Sequence, residues 1–290
     1  GGVSFNIKKG ETLGLVGEFG CVKTTLGMCL LRLIEPTDGE IFFKNVNITK
    51  IKNKEINNIY RHMQIIFQDP YQSLNPRLKV REVLEEPLII HKILSHKIDR
   101  QEKMIKILKD VGLEYTYLNK YSHELSGGQR QRVMIARALL LSPDLIICDE
   151  PSSALDVSIQ AQIINLLEEM KEKLFLSYLF ISHDLSVVKH ISERIAVMYL
   201  GKIIEIGDSE KVCSSAKHPY TKVLISSIPI PDPLKRSEYI PLTEDIPSSI
   251  NIPGGCRFHT RCRYNKKICR DLEPEIKEVE KDWFVVCHFT

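Results

Sequence analysis

Gly17 to Thr25, read as Gly-Glu-Phe-Gly-Cys-Val-Lys-Thr-Thr, set a lysine and two hydroxyls behind a glycine-bearing turn. These residue types at this spacing suit a polyphosphate. The phosphate-loop pattern is Gly, four residues, Gly, Lys, then Ser or Thr. Gly17, Lys23 and Thr24 are in register, and Val22 stands where the second glycine belongs. In such a loop Lys23 reaches the outer phosphates, the Thr24 hydroxyl takes Mg²⁺, and backbone N–H groups from Gly20 through Cys21, Val22 and Thr24 to Thr25 line the anion nest. A broken pattern taken alone also fits a strand-turn-helix corner with no ligand. A β-branched residue at position 22 is poorly suited to positive φ, and Phe19 is bulky for such a loop.

Further chemistry lies downstream. Asp149 and Glu150 follow an apolar run, and two carboxylates there are costly to bury without a cation or a proton. His183 follows another apolar run, and Gln68 a third. Leu125 to Gln129, LSGGQ, places Ser126, Gly127, Gly128 and Gln129 at the head of a helical pattern, a second helix N-terminus suited to an anion.

The elements around these residues follow from apolar periodicity. Thr12–Val16 reads as a buried strand and 25–33 as a helix. Val3–Ile7 alternates like a strand, 40–48 reads as a small antiparallel sheet, and 61–67 as a strand. The run 71–77 is loop-like and 80–112 mostly helical. A helix over 130–141 precedes the strand Leu145–Cys148, and a helix over 159–173 precedes the strand Tyr178–Ile181. In open α/β sheets ligands bind at the C-terminal ends of strands, which is where Gly17, Gln68, Asp149, Glu150 and His183 fall.

The chain has 290 residues, 43% hydrophobic and 27% charged, with a formal charge of +3. That balance is ordinary for a soluble fold, and the scattered basic residues give no footprint for nucleic acid. No apolar run is long enough for a membrane span. The first residues, Gly-Gly-Val, predict a trimmed or partial N-terminus. Of eight cysteines, Cys21, Cys29, Cys148 and Cys213 are dispersed, while Cys256, Cys262, Cys269 and Cys287 close the chain. That split argues against a secreted disulfide framework and for a reducing compartment. The last four are separated by five, six and seventeen residues. Four thiolates bind Zn²⁺ or an iron–sulfur cluster; these gaps are wider than those of zinc ribbons.

Taken in order, the phosphate loop, Gln68, LSGGQ, the Leu-Ile-Ile-Cys-Asp-Glu strand, Ser153-Ala154-Leu155-Asp156 and His183 resemble the ATP-binding subunits of ABC transporters over nearly the whole chain. Finer segments, QDPYQSLNPR, HPYTKVLISSIPIPDP and GCRFHTRC, are similar to the oligopeptide and dipeptide importer branch, more to its second ATPase subunit than its first. The resemblance implies an α/β fold: a P-loop ATPase core with a mixed sheet, an antiparallel β subdomain, a helical signature subdomain and a small Cys-rich C-terminal module.

It further implies ATP and Mg²⁺ as ligands, with Asp149 holding the metal's water shell, Glu150 polarising the attacking water, His183 on the γ-phosphate and Gln68 touching Mg²⁺. Ser126 to Gln129 would close on the ATP of a partner subunit, identical or different, with Ser153 to Asp156 as the D-loop between them. The implied partners are two membrane permeases and, indirectly, an extracytoplasmic peptide-binding protein, at the cytoplasmic face of the membrane. For Cys256, Cys262, Cys269 and Cys287 the resemblance favours a four-iron four-sulfur cluster over zinc. Residues 1–207 would form the ATPase domain, with the helical subdomain about 70–142, and 208–290 a C-terminal extension whose cysteine module spans 254–290. Pro- and Ser-rich stretches such as IPIPDP read as linker. Three rival readings are a subunit that binds but cannot hydrolyse ATP, a nickel importer ATPase, and a soluble ABC ATPase of DNA repair or translation.

Overall fold

A computed structural model describes residues 2–18, 20–228, 247 and 251–290. Phe19 and most of the expected linker lie outside the described residues. In chain order the strands and helices are β1 (Thr12–Val16), α1 (Lys23–Leu30), β2 (Phe42–Phe43), β3 (Val46–Asn47), α2 (Asn53–His62), β4 (Met63–Ile66) and α3 (Pro70–Ser73). They continue with α4 (Val80–Ile90), α5 (Lys97–Asp110), α6 (Gly127–Leu139), β5 (Leu145–Asp149), α7 (Val157–Leu174) and β6 (Ser177–Ser182). The remainder are α8 (Leu185–Ile191), β7 (Arg194–Tyr199), β8 (Lys202–Asp208), α9 (Ser209–Ser215), α10 (Pro219–Ser226), α11 (Lys267–Asp271), β9 (Ile276–Glu280) and β10 (Trp283–Val286).

The chain divides into two compact units. One comprises residues 1–7, 12–26 and 180–290, the other 8–11 and 27–179.

The first unit is built on a mixed sheet. β1 pairs with β7 in parallel, Leu13 opposite Arg194 and Val16 opposite Val197. β7 and β8 form an antiparallel hairpin, and the C-terminal hairpin β9–β10 joins it, with β10 antiparallel to β8. The last residues of the chain therefore extend the sheet that carries the phosphate loop. Trp283 anchors them: its indole is buried and its Nε1–H donates to Glu205 Oε1 at 3.0 Å. A Cβ at Gly207 would lie 2.8 Å from the indole, so glycine makes the room. The buried Glu205 carboxylate also accepts from the Lys217 and His218 backbone N–H groups, which offsets its desolvation.

In the second unit β4 and β5 are parallel, Met63 opposite Leu145 and Ile66 opposite Cys148. α6 packs against α3, α4, α5 and α7, presenting Val133, Ile135, Ala136 and Leu139 to the core. β2 and β3 form a hairpin whose turn residues Lys44 and Asn45 have φ of +49° and +65°, the signs a type I′ turn requires.

Two expectations are corrected. Val3–Ile7 keeps its alternation, with Val3, Phe5 and Ile7 half-buried and their neighbours exposed, but joins no strand among the described residues; alternation gives a face, while a strand also needs a ladder partner. The expected strand over 61–67 shortens to β4, because Arg61 and His62 complete a helix, α2, that the sequence reading passed over. The stretch 80–112 is mostly helical as expected, as α4 and α5 joined by a turn where Lys92 and Leu94 take φ of +53° and +59°.

Candidate functional site

The phosphate loop leaves the C-terminal end of β1. Gly17 is required there by close approach, since a Cβ would sit 2.3 Å from the Met198 carbonyl oxygen on β7. Gly20 turns the loop at φ +82°. Cys21 is buried, and burial raises its thiol pKa.

Val22 has φ +68°, the left-handed region that a β-branched residue enters only with strain. It immediately precedes α1, whose first N–H groups, those of Lys23, Thr24 and Thr25, have no acceptor within the helix. Valine brings no side-chain oxygen to cap them. Thr24 and Thr25 are exposed. Lys23 is buried, and its ammonium donates to the carbonyls of Gly17 at 2.6 Å and Glu18 at 3.1 Å.

Glu18 is held from three sides. Its N–H donates to the Tyr220 hydroxyl at 2.9 Å, its carbonyl accepts from Lys23, and its carboxylate accepts two bonds from Arg261, at 2.7 and 3.1 Å. Burial works against the Arg261 charge, but hydrogen bonds to Glu18 and Tyr199 more than reverse this and its pKa is raised.

His183 lies in the same unit as the loop, exposed, just past β6. Its turn is fixed by Asp184, which accepts from the Ser186 N–H at 2.8 Å to cap α8. Gly14 of β1 lets α8 approach, because a Cβ there would lie 2.1 Å from Val188.

Gln68, Asp149 and Glu150 belong to the other unit. Parallel register brings β4 and β5 to the same level, so Gln68 and Glu150 emerge side by side. Gln68 Nε2 donates to Glu150 Oε2 at 3.0 Å. Asp149 and Glu150 are both buried, and Glu150 has φ +47°, a strained value of the kind that gathers at functional sites. The Ser153 N–H and hydroxyl both donate to the Glu150 carbonyl at 3.2 Å.

The signature segment lies in this unit too. Ser126 caps α6 in a reciprocal box with Gln129, and Gln129 Nε2 donates to the Tyr117 hydroxyl at 3.0 Å. Gly127 and Gly128 face the D-loop side: added Cβ atoms would lie 3.1 Å from Leu155 and 2.7 Å from Ile159. Ala154 and Asp156 are exposed, and the Leu155 carbonyl accepts from Gln160 Nε2 at 2.9 Å.

Cys256, Cys262, Cys269 and Cys287 line one cavity of about 410 Å³, together with Lys217, Lys222, Lys266, His218 and His288. Burial pushes the Cys256 thiol up to about 11 and raises Cys262 and Cys287. Among the described residues no three His, Cys, Asp or Glu side chains converge tightly enough for a single metal ion.

Two anchors of the loop carried no sequence signal. Arg261 and Tyr220 stand inside segments noted for their resemblance, but nothing in the spacing links them to Glu18, which Arg261 meets across 243 positions.

The loop, the paired carboxylates and the capped glycine helix define an ATP-binding cassette, and the chain belongs to the ABC transporter family, whose model matches residues 1–153. A second model, the oligopeptide/dipeptide transporter C-terminal region, matches 204–269.

Among relatives, the chain is 50% identical to the oligopeptide transport ATP-binding protein AppF of Bacillus subtilis, over 99% of this chain and 88% of that one. It is 47% identical to the dipeptide transport ATP-binding protein DppF of Haemophilus influenzae, over 99% and 87%. Among solved structures it is similar to CbiO1 of Clostridium perfringens, part of the ABC transporter complex CbiONQ, with a TM-score of 0.66 at 30% identity over 73% of this chain and 82% of that one. A dimeric ATP-binding cassette in a post-hydrolysis state with ADP and Pi gives 0.65 at 32%, over 71% and 89%. The fold is thus that of a P-loop ABC ATPase, an ATP-hydrolysing α/β cassette with a mixed sheet.

Proposed function

We propose that this chain is the ATP-hydrolysing subunit that powers uptake of oligopeptides or dipeptides through an ABC importer. The observation that carries the reading is the phosphate loop, whose buried Lys23 is held by the Gly17 and Glu18 carbonyls ahead of a helix N-terminus. The peptide branch is supported by the C-terminal region model and by what the relatives are named for. At the cytoplasmic face of the membrane the chain pairs with a second ATPase subunit and two permeases, served by an extracytoplasmic peptide-binding protein.

In this reading Gly17, Glu18, Gly20, Cys21, Val22, Lys23, Thr24 and Thr25 hold the phosphates, and Thr24, Gln68 and Asp149 hold Mg²⁺ or its water shell. Mg²⁺ supplies charge neutralisation on the phosphate oxygens. Glu150, kept in place by Gln68, orients and polarises the attacking water, and His183 hydrogen-bonds the γ-phosphate. Ser126 to Gln129 meet the partner's ATP, with Ser153 to Asp156 between the two sites. The ATPase domain is 1–207, with its helical part about 70–142, and 208–290 is the extension.

The same reading gives Cys256, Cys262, Cys269 and Cys287 a four-iron four-sulfur cluster. What supports it is that the four thiols line one cavity, and four cysteines are the ligand set such a cluster takes. Its role is structural, tying the loop that carries Cys256, Cys262 and Cys269 to Cys287 after the C-terminal hairpin.

ATP turnover tests the reading. Glu150→Gln should lower kcat by about 10²–10⁴ while ATP still binds, because a positioned base is lost and the loop is untouched. Turnover equal to the unmodified chain would remove Glu150 from the mechanism.

A further inference from the structure

A loop that receives a polyphosphate carries, at Glu18, a carboxylate. Left alone, that charge would oppose the ligand, and its side chain is only 22% exposed. Arg261 answers it with a two-pronged bridge from a side chain 3% exposed, the geometry in which an Arg–carboxylate pair is strongest and most directional. The bridge also fixes position. Glu18 is pinned at its N–H by Tyr220 and at its carboxylate by Arg261, and its carbonyl is one of the two that hold the Lys23 ammonium.

Arg261 is itself well anchored. It precedes Cys262, its N–H donates to the Phe258 carbonyl at 3.1 Å, and Phe258 packs against Tyr199 and Tyr220 with ring centroids 5.3 and 5.4 Å away.

We propose that Arg261 is a positioning residue of the nucleotide site: from the cysteine-bearing C-terminal segment it neutralises Glu18 and sets the loop that places Lys23. The extension is then a working part of ATP binding as well as an appendage to the cassette. This rests on the ATP-site reading of the phosphate loop.

The test is the dissociation constant for ATP, measured on the full chain without Mg²⁺ so that nothing is hydrolysed, in a double-mutant cycle. Arg261→Met should weaken binding about tenfold, the scale of one charge-assisted bond lost with its partner left unpaired. In a Glu18→Gln background, whatever its own constant, Arg261→Met should cost less than about threefold relative to Glu18→Gln alone, because no carboxylate is stranded. Arg261→Lys, which keeps charge but loses the fork, should fall between.

Melting temperatures are recorded alongside, since a merely structural role would lower them without moving the ATP constant. An unchanged constant in Arg261→Met, or the same loss with and without the Glu18 carboxylate, overturns the proposal. Should Arg261→Met fail to fold, Arg261→Lys in both backgrounds carries the same comparison. Failure of the unmodified chain to bind ATP would instead sink the reading of the loop, so the two outcomes are distinct.

Discussion

Val22 is where sequence and geometry meet most sharply. The pattern asks for glycine at this position because the backbone must take a positive φ, and the structure gives valine that angle, +68°. The left-handed conformation costs a non-glycine residue roughly 1–2 kcal/mol, partly offset by the chain entropy that glycine would add to the unfolded state. Val22→Gly should therefore raise stability by about 0.5–1 kcal/mol in denaturant melts and tighten ATP binding. An unmoved midpoint would show that the loop accommodates valine without strain.

At this scale residue type and order single out candidates and say nothing of what holds them. Lys23, Asp149 and Glu150 could be named from type and order. That Glu150 would bond to Gln68 could not, since it depends on the register of two parallel strands. The phosphate-loop pattern gives the Glu18 side chain no role; its carboxylate is bonded by Arg261, 243 positions away.

Among the elements, those with strong apolar runs were legible to within a few residues. β1, β5 and β6 are fully or almost fully buried, and nothing but a central strand reads that way. α2 was missed because its polar sequence, NKEINNIYRH, buries only Ile56 and Ile59 among its apolar side chains. Val3–Ile7 failed for the opposite reason, a correct pattern with no partner strand among the described residues.

The C-terminal hairpin was hidden for a third reason: β9 is largely exposed and resembles a charged loop, and its place is set by Trp283 on Glu205, a contact between distant positions. The cysteines on either side of it, Cys287 following β10, carry a prediction of the proposed cluster at this scale. Protein purified without oxygen should be brown and hold about four irons per chain. A colourless preparation loaded with zinc would contradict the cluster.

At the scale of the whole molecule, no helix among the described residues is long and apolar enough to cross a membrane. Family membership and the C-terminal region model cover most of the chain between them. What they leave to experiment is the work that hydrolysis drives. A nucleotide that binds one conformation of a subunit pair more tightly than another shifts that equilibrium, and hydrolysis resets it; in an importer the equilibrium is the access state of the permeases.

The decisive measurement is uptake of a labelled peptide into vesicles holding the permeases, the peptide-binding protein and this chain with its partner ATPase, ATP being supplied on the chain's side. The account predicts uptake that requires ATP and is abolished by Glu150→Gln in this chain. Uptake that persists unchanged with Glu150→Gln, or ATP-driven uptake of a metal ion in place of peptide, would contradict it.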